Sequence, residues 1–288
     1  MANEIAPPII ADCSGVQDVR QIGPATLYLA DSLFVLPQLR EVDALICDPP
    51  YSSGGQFRGD RMQTTGVKYV MTGTQMVRPD FDGDNRDQRS FEYWCVLWLS
   101  AALAACKPGA VACLFTDWRQ LPSTSDALQG GGWVWRGVVP WDKTNGCRPS
   151  MGRFAAQCEY LAWGSAGPLP QDRGVGCLPG LFSHGVERNK PHITSKPIRL
   201  MEDVVQICPV GGLVLDPFMG AGSTGVAAVR HGRRFIGIER NAEYFEKSCE
   251  RIENALANRS LFTPDEAPVT GSMFGAEPLV DPDMDGAA

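Results

Sequence analysis

The sequence predicts an α/β fold: a seven-stranded, mostly parallel, doubly wound sheet with helices on both faces. Short apolar runs recur along the chain, each run ends in Gly, Pro or a polar turn, and helical stretches separate the runs. The predicted strands are Ala25–Ala30, Ala44–Cys47, Ala110–Phe115, Trp133–Val139, Glu159–Trp163, Leu213–Leu215 and Phe235–Ile238. The clearest predicted helices are Phe91–Cys106, Lys196–Cys208, Ser223–His231 and Ala242–Ala257.

The helix predicted at Lys196–Cys208 has recognisable start signals. Thr194 or Ser195 can cap it, and Pro197 suits its first turn. Its apolar residues recur at helical spacing, which indicates a face packed in the core. These residues are Leu200, Met201, Val204, Val205 and Cys208.

We expect one large domain over residues 25–258, preceded by an N-terminal extension (1–24) and followed by a tail (259–288). The tail is rich in Pro and acidic residues, so we expect it to be disordered. Two stretches do not fit the sheet, residues 52–89 and residues 164–191, both rich in Gly and charged or Pro residues. Loops of that length are usually functional or mobile.

The formal net charge of -7 is concentrated in the tail. Residues 261–288 hold 6 acidic side chains and no Lys or Arg, and the rest of the chain is close to neutral. Residues 133–200 hold 9 basic and 4 acidic side chains. Such a surface is compatible with a nucleic acid cleft, although an excess of this size is often only a solvated face.

The 10 cysteines are scattered singly, with no C-x-x-C pair. We interpret them as reduced, mostly buried thiols and expect a cytoplasmic protein. No apolar run is long enough to span a membrane, and the first residues lack the features of a secretory signal. Three dispersed histidines argue against a metal site.

The segment after Leu213–Leu215 has the form of a cofactor-binding turn. Asp216 ends the strand, Gly220 and Gly222 form a Gly-x-Gly turn, and a helix follows. Glycines let a ligand approach the backbone closely, and an acid at the end of the next strand, Glu239, can accept hydrogen bonds from ribose hydroxyls. The turn has no Gly-Lys-Ser/Thr ending, so a nucleoside cofactor without phosphates, S-adenosylmethionine, fits better than a nucleotide triphosphate.

The segment Asp48-Pro49-Pro50-Tyr51 closes another apolar run and suits a planar base with an exocyclic amine. Two prolines remove two backbone donors and present carbonyl oxygens. Asp48 and one such carbonyl could accept both amine hydrogens, while Tyr51 stacks on the base. An ordinary strand-ending turn is the alternative interpretation of these four residues.

With both segments in this order, the chain resembles the amino-methyltransferases of DNA that use S-adenosylmethionine, specifically their circularly permuted β group. The resemblance covers roughly residues 25–256. It implies a Rossmann-like methyltransferase fold with catalytic residues Asp48, Pro49, Pro50 and Tyr51. The implied cofactor-binding residues are Asp31, His192, Thr194, Lys196, Asp216, Pro217, Phe218, Gly220, Gly222, Ser223, Thr224, Glu239 and Arg240.

At Ala30 the chain departs from the family, which has glycine before the residue corresponding to Asp31. The segment 141–145 continuing to Glu159–Tyr160 is similar to the strand pair of the family's base pocket. Target recognition in the family lies in the interval that is 164–191 here, and loop 52–89 either shares that role or acts as a flap. The expected nucleic-acid-binding residues are Arg58, Arg61, Lys143, Asn145, Arg148, Arg153, Arg173 and Arg188.

The resemblance implies a site-specific methyltransferase of double-stranded DNA, with a restriction–modification context. Asp at the head of the Pro-Pro-Tyr segment is typical of adenine N6 methylation in this family, and serine there is typical of cytosine N4 methylation. Asp48 therefore favours adenine. Cytosine N4 methylation, an RNA or protein-glutamine methyltransferase, and a catalytically silent nucleic-acid-binding protein stay open, as does a homodimer.

Overall fold

A computed structural model describes residues 14–50, 87–147, 151–186 and 195–259 of the chain. Its nine strands form one sheet in the order β1-β2-β9-β8-β3-β4-β6-β5-β7. The strands are β1 Val16–Ile22, β2 Ala25–Ala30, β3 Val42–Cys47, β4 Cys106–Thr116, β5 Val134–Asp142, β6 Cys158–Ser165, β7 Phe182–Ser183, β8 Leu213–Asp216 and β9 Arg234–Glu239.

Five neighbouring strands, from β2 through β9, β8 and β3 to β4, are parallel. Strand β6 is antiparallel to both β4 and β5, and β1 forms an antiparallel hairpin with β2. The central strands are buried on both faces, as β2 shows with all of its residues buried. Parallel strands are buried in this way because the helices that connect them cover both faces of the sheet.

Six helices are described: α1 Ser32–Val35, α2 Gln88–Ala105, α3 Leu121–Gly130, α4 Ile198–Val204, α5 Ser223–Arg230 and α6 Ala242–Arg259. Residues of α4, α5 and α6 belong to the apolar core on one face, and residues of α1, α2 and α3 belong to the core on the other. The predicted doubly wound arrangement is therefore confirmed.

Two of the helices show why their sequences form them. The carboxylate of Asp87 accepts a hydrogen bond from the Ser90 amide at 3.0 Å and so caps α2. In α6 the buried residues Phe245, Cys249, Ile252 and Ala255 recur every three or four positions, and Tyr244 lies beside the first of them, which is the pattern of an amphipathic helix on a sheet.

All seven predicted strands are present, and the structure adds two. Strand β1 lies inside the segment predicted as an N-terminal extension, and β7 has only two residues. Helix α3 was not predicted, because its polar residues Ser123, Thr124 and Ser125 are buried and give no apolar periodicity. Arg89, predicted in a loop, lies in α2.

The predicted cap of the fourth helix is wrong for Ser195. Pro197 occupies the N-cap position of α4 without a side-chain hydrogen bond. The Ser195 hydroxyl instead pairs with the Ser223 hydroxyl at 2.9 Å, at the start of α5. The helix also ends earlier than predicted, since Val205–Ile207 form a 3-10 turn. Thr194 lies outside the described residues.

None of the nine cysteines within the described residues forms a disulfide. Burial raises the pKa of the Cys113 and Cys208 thiols to about 12, so neither is a thiolate nucleophile near neutral pH. Across the described residues, no helix is both long enough and apolar enough to cross a membrane.

Candidate active site

The two segments singled out in the sequence lie side by side at one edge of the sheet. Strands β3 and β8 are parallel neighbours, with Ala44 opposite Val214 and Leu45 opposite Leu215. Asp48 follows β3 and Asp216 ends β8, so both carboxyl groups lie at the carboxyl ends of adjacent strands. The sheet continues from β8 to β9 on one side and from β3 to β4 on the other. Ligands bind at such a switch point in open α/β sheets.

The turn after β8 is held by the side chain of Asp216. Its Oδ1 accepts a hydrogen bond from the Phe218 amide at 3.0 Å, and its Oδ2 accepts one from the Thr224 hydroxyl at 2.5 Å. The turn passes through two left-handed glycines, Gly220 at φ 52° and Gly222 at φ 77°. The backbone therefore needs glycine at both positions.

The two glycines differ in their surroundings. A Cβ at Gly222 would lie 2.9 Å from the Cβ of Ser248 in α6, so this glycine allows close packing of α6. A Cβ at Gly220 would meet nothing within 4 Å. Gly220 thus borders open space at the carboxyl edge of the sheet, where a ligand could approach the backbone.

Asp216 is an unusually weak acid in this position. Burial raises its pKa from 3.8 to about 7, with smaller upward contributions from the charges of Asp48 and Glu239. The hydrogen bonds from Thr224 and Phe218 oppose this shift only in part. A positive charge placed nearby would favour the ionised form.

Glu239 reaches back to the same turn. Its Oε2 accepts a hydrogen bond from the Gly220 amide at 3.0 Å, and its Oε1 accepts one from the Asn241 amide at 2.8 Å. Burial raises the pKa of Glu239, and backbone hydrogen bonds, including one from Arg240, work against it. The Arg240 side chain is exposed.

Asp31 lies at the end of the next strand, since Leu29 of β2 pairs with Glu239 of β9. The Oδ1 of Asp31 accepts a hydrogen bond from the Leu33 amide at 3.0 Å and caps α1. The predicted contact between Asp31 and an adenine stays a prediction.

The remaining predicted residues of the turn are packed. Pro217, Ser223 and Thr224 are buried, and the Phe218 ring contacts the rings of Trp94 and Trp98 at centroid distances of 5.2 and 5.0 Å. These two tryptophans belong to α2, so α2 supports the turn from one face of the sheet. On the other face, the Arg251 guanidinium of α6 donates a hydrogen bond to the Ala221 carbonyl.

A chain of alternating charges leads to Asp48. The Lys196 ammonium lies 2.5 Å from Oδ2 of Asp48 and 3.4 Å from Oε2 of Glu159. The other oxygen of Glu159 lies 3.3 Å from the Lys143 ammonium. The Lys196 side chain is only 6% exposed and its ammonium lies 5.0 Å from the centre of the Phe115 ring. We call Lys143, Glu159, Lys196 and Asp48 the charge chain.

The charges of this chain support one another. Burial works to lower the pKa of Lys196, but Asp48 and Glu159 outweigh it, and the pKa is raised. Burial likewise works to raise the pKa of Glu159, but Lys196 and Lys143 hold it below its usual value. Lys196, which is buried, and Glu159, which is half-buried, are therefore both charged near neutral pH.

The structure places some of the predicted catalytic and cofactor-binding residues together, and others lie outside the described part of the chain. The structure brings Asp48, Pro49, Pro50 and Lys196 together with Asp216, Gly220, Glu239 and their neighbours at one edge of the sheet. Lys196 contacts Asp48, and its predicted role in cofactor binding stays a prediction. Seven predicted residues lie outside the described part of the chain: Tyr51, Arg58, Arg61, Arg148, Arg188, His192 and Thr194.

The predicted nucleic-acid-binding residues that are described divide by position. Lys143 belongs to the charge chain, and the side chains of Asn145 and Arg153 are exposed in the connection between β5 and β6 at the same edge. Arg173 donates a hydrogen bond to the Ile207 carbonyl and lines a cavity with Arg136. Arg136 contacts Ser165 at the far end of β6, roughly 20 Å from Glu159 at about 3.3 Å per residue. The structure thus does not bring Arg173 to the site.

Sequence reasoning placed Glu159 in the segment similar to the base-pocket strand pair but gave it no role, and it did not include Phe115. The sequence signal for Glu159 was an acidic residue near the start of the apolar strand β6. In the structure this residue lies opposite Trp141 in β5. A buried carboxylate needs a cationic partner, but the sequence does not show which of the 26 basic residues provides it.

The sheet order and the glycine turn at its carboxyl edge define a Rossmann-like methyltransferase fold, as the sequence predicted. The chain matches M1.HpyAVI in complex with SAM at a TM-score of 0.57, with 23% identity, over 79% of this chain and 98% of that one. It matches TTHA0409 of Thermus thermophilus, complexed with S-adenosyl-L-methionine, at 0.56, with 20% identity, over 80% and 95%. It matches the cytosine-N4-specific PvuII DNA methyltransferase at 0.58, with 17% identity, over 83% and 93%.

Residues 179–250 match the family model of the N6/N4 methyltransferases, described as DNA methylase. Over 78% of its length the chain is 26% identical to YubD of Escherichia coli (strain K12), named as a methylase, and it covers 91% of that protein. It is 27% identical to the type II methyltransferase M.HinfI of Haemophilus influenzae, over 75% of this chain and 64% of M.HinfI. The chain is thus similar, in residues 179–250, to the N6/N4 DNA methylase family, and over most of its length to proteins named as methylases.

Proposed function

We propose that this protein transfers a methyl group from S-adenosylmethionine to the N6 amino group of adenine in double-stranded DNA. The observation that carries the proposal is the position of Asp48 and Pro49. They lie at the carboxyl end of β3, directly beside the glycine turn of β8. An amine acceptor and a cofactor turn thus occupy neighbouring strand ends.

The residues around the turn fit S-adenosylmethionine. Glu239 offers a carboxylate at the end of β9 for ribose hydroxyls, and Gly220 leaves the approach to the backbone open. Asp216 provides a carboxyl group beside this space whose ionisation a cationic sulfonium would favour. When bound, S-adenosylmethionine supplies an electrophilic methyl group on a positively charged sulfur.

The chain's own residues would position the acceptor. The target base leaves the duplex, at a cost of a few kcal/mol, and enters a pocket formed by Asp48 and the two prolines. Asp48 and the Pro49 carbonyl hold the amine hydrogens, so the nitrogen lone pair faces the methyl group. Positioning supplies most of the rate, and the Asp48 carboxylate stabilises the positive charge that develops on nitrogen.

The preference for adenine rests on the resemblance at Asp48, since serine at this position is typical of the cytosine enzymes. Cytosine N4 methylation is the second candidate, and the likeness of the fold to the cytosine-N4-specific PvuII enzyme favours keeping it. DNA as the substrate is supported by the DNA methylase family match at residues 179–250. The similarity to M.HinfI, a type II methyltransferase, supports a restriction–modification role.

The order of the two segments, with Asp48 before the glycine turn, supports the circularly permuted β group. The division into one catalytic domain, which includes strand β1 of the segment predicted as an extension, and an acidic tail also belongs to this proposal. We further propose that the loops at 52–89 and 164–191 share target recognition, and that the protein acts in the cytoplasm.

Expression in a methylation-deficient host, followed by genome-wide mapping of modified bases, tests this proposal. We expect N6-methyladenine in one sequence context, and none in cells that express the Asp48→Ala variant. The purified variant should still bind S-adenosylmethionine in calorimetric titration, because Asp48 is not part of the cofactor turn. N4-methylcytosine would support the second candidate, and unmodified DNA with the intact protein would overturn both.

A further inference from the structure

The charge chain contains an acidic residue, Glu159, that the proposed reaction does not use. Its Oε2 atom is buried and, within the described part of the chain, accepts no well-aligned hydrogen bond. The nearest cation to this atom is Lys196, whose ammonium lies 3.4 Å away. A buried carboxylate oxygen without a hydrogen bond costs stability. The charge interaction with Lys196 is the contact that offsets this cost.

Glu159 and Asp48 share one ammonium. Lys196 is nearly fully buried and approaches Asp48 more closely than Glu159, at 2.5 Å against 3.4 Å. With Asp48 alone, Lys196 would form a neutral pair. With Glu159 also present, the two carboxylates and Lys196 carry a net charge of -1, which Lys143 offsets from the opposite end of the charge chain to Asp48.

We propose that Glu159 is a positioning residue for Asp48: by sharing Lys196, it leaves negative charge on the Asp48 carboxylate for the target amine. The proposal rests on the proposed function for the identity of the amine. A carboxylate fully neutralised by Lys196 would hold the amine hydrogens less strongly and would stabilise less of the developing positive charge. The Phe115 ring closes the space beside the ammonium and leaves Lys196 between the two acids.

The charged groups that face this chain come from several elements. Asp48 comes from the end of β3, Glu159 from β6, and Lys143 from the end of β5. The Asp216 carboxyl group of β8 interacts with the charge of Asp48. Removing the charge of Glu159 takes one anion away from Lys196, so Lys196 should lose its proton at a lower pH. Removing the charge of Lys143 takes a cation away from Glu159, so Lys196 should keep its proton to a higher pH.

The test uses Glu159→Gln and Lys143→Gln in the full chain, with kcat measured from pH 6 to pH 11 at saturating DNA and S-adenosylmethionine. For Glu159→Gln we expect kcat at neutral pH to fall about 10- to 100-fold. The KM for S-adenosylmethionine should stay within about twofold of the wild-type value, since a transition-state interaction is lost. Loss of the Lys196 charge removes the ion pair that holds the Asp48 carboxylate in place, so kcat should fall at alkaline pH. This alkaline limb should move to lower pH in Glu159→Gln and to higher pH in Lys143→Gln.

The matched control is Glu246→Gln, which removes an acid from an exposed ion pair with Arg20 at 2.6 Å on the far edge of the sheet. It should move neither the limb nor kcat. A purely structural role for Glu159 would lower activity without opposite shifts in the two charge-chain variants, and that result would overturn the proposal. Unchanged kcat in Glu159→Gln would overturn it as well.

A second measurement needs no methyl transfer and separates this inference from the proposed function. In the folded protein the pKa of Lys196 is raised above its ordinary value of 10.5, so its charge contributes its full stabilisation at any pH below 10.5. This stabilisation is lost as the pH rises through the raised pKa of the folded state. Glu159→Gln should therefore lose thermal stability at a lower alkaline pH than wild type. If the wild type methylates no DNA but this shift is seen, the proposed function fails while the coupling of Glu159 to Lys196 stands. If the wild type methylates DNA and the shift is absent, the coupling fails.

Discussion

Replacing Asp216 by Asn should make the protein more stable while weakening the cofactor site. Asp216 is 2% exposed and its pKa is raised from 3.8 to about 7. Asn keeps the shape of the side chain and can still accept from the Phe218 amide. Its amide nitrogen can donate to the Thr224 hydroxyl, so both hydrogen bonds of the turn persist.

The magnitude follows from the pKa. The folded-state value lies above the unfolded-state value, so the folded protein binds more protons between pH 3.8 and about 7, and stability falls as the pH rises through this window. The interval of about three pKa units corresponds to ~4 kcal/mol at about 1.36 kcal/mol each. Asn removes this cost, and the stabilisation should be ~4 kcal/mol at pH 8. It should be smaller by roughly 2–3 kcal/mol at pH 5, where folded Asp216 is already protonated.

Urea denaturation followed by tryptophan fluorescence at pH 5 and pH 8 measures the free energy of unfolding of both proteins. A larger gain at pH 8 than at pH 5 is the expected result. An equal gain at both pH values, or a loss at pH 8, would refute the assignment of a destabilising buried charge to Asp216. Calorimetric titration of the variant should show weaker binding of S-adenosylmethionine, because the anion beside the sulfonium is gone.

Three further predictions test other parts of the structure. The effect of Asp142→Asn on the free energy of unfolding should have the opposite sign to that of Asp216→Asn. Hydrogen bonds from Gln157 and Thr144 lower the pKa of Asp142, so the variant should be less stable than wild type at pH 7, and this difference should be lost as the pH falls below 3.8. A difference that stays constant with pH in urea denaturation would contradict this. Gly222→Ala should lower the free energy of unfolding by about 2 kcal/mol or more, since its Cβ would meet Ser248 at 2.9 Å in a left-handed conformation; an unchanged denaturation midpoint would argue against this packing. Gly220→Leu has room for its Cβ, so its structural cost is the left-handed backbone strain of about 1–2 kcal/mol, and the variant should still fold. Calorimetry should detect no binding of S-adenosylmethionine, and retained affinity would show that the cofactor does not approach this backbone.

Most strands of the fold are predictable from local patterns in the sequence. Seven of the nine strands were recognisable as short apolar runs. Five of them are the neighbouring parallel strands, which are buried on both faces, and β2 and β9 show this burial. Strand β1 has its apolar residues Val16, Val19 and Ile22 separated by polar ones and is mostly half-buried at the edge of the sheet, so it lacks this signal. Helix α3 was missed because its buried residues are small and polar.

The cofactor turn was also predictable, since Asp216, Gly220, Gly222 and Glu239 are tied to their roles by the local backbone and by strand ends. The carboxyl ends of parallel strands meet at one edge, so strand order alone brings Glu239 to the Gly220 amide, 3.0 Å away. Backbone conformation and strand direction are local properties, and the sequence carries them.

Only the tertiary structure decided the electrostatics. The sequence separates Lys196 from Asp48 by 148 positions, and nothing in either segment indicates that the two charges touch. The same holds for Glu159, and for the pKa of Asp216, which depends on how completely the turn is buried. Charge interactions depend on distance and on exclusion of water, and both are set by the packing of elements that are remote along the chain. The sequence by itself therefore determined which residues could form a site, and the fold decided which of them are coupled.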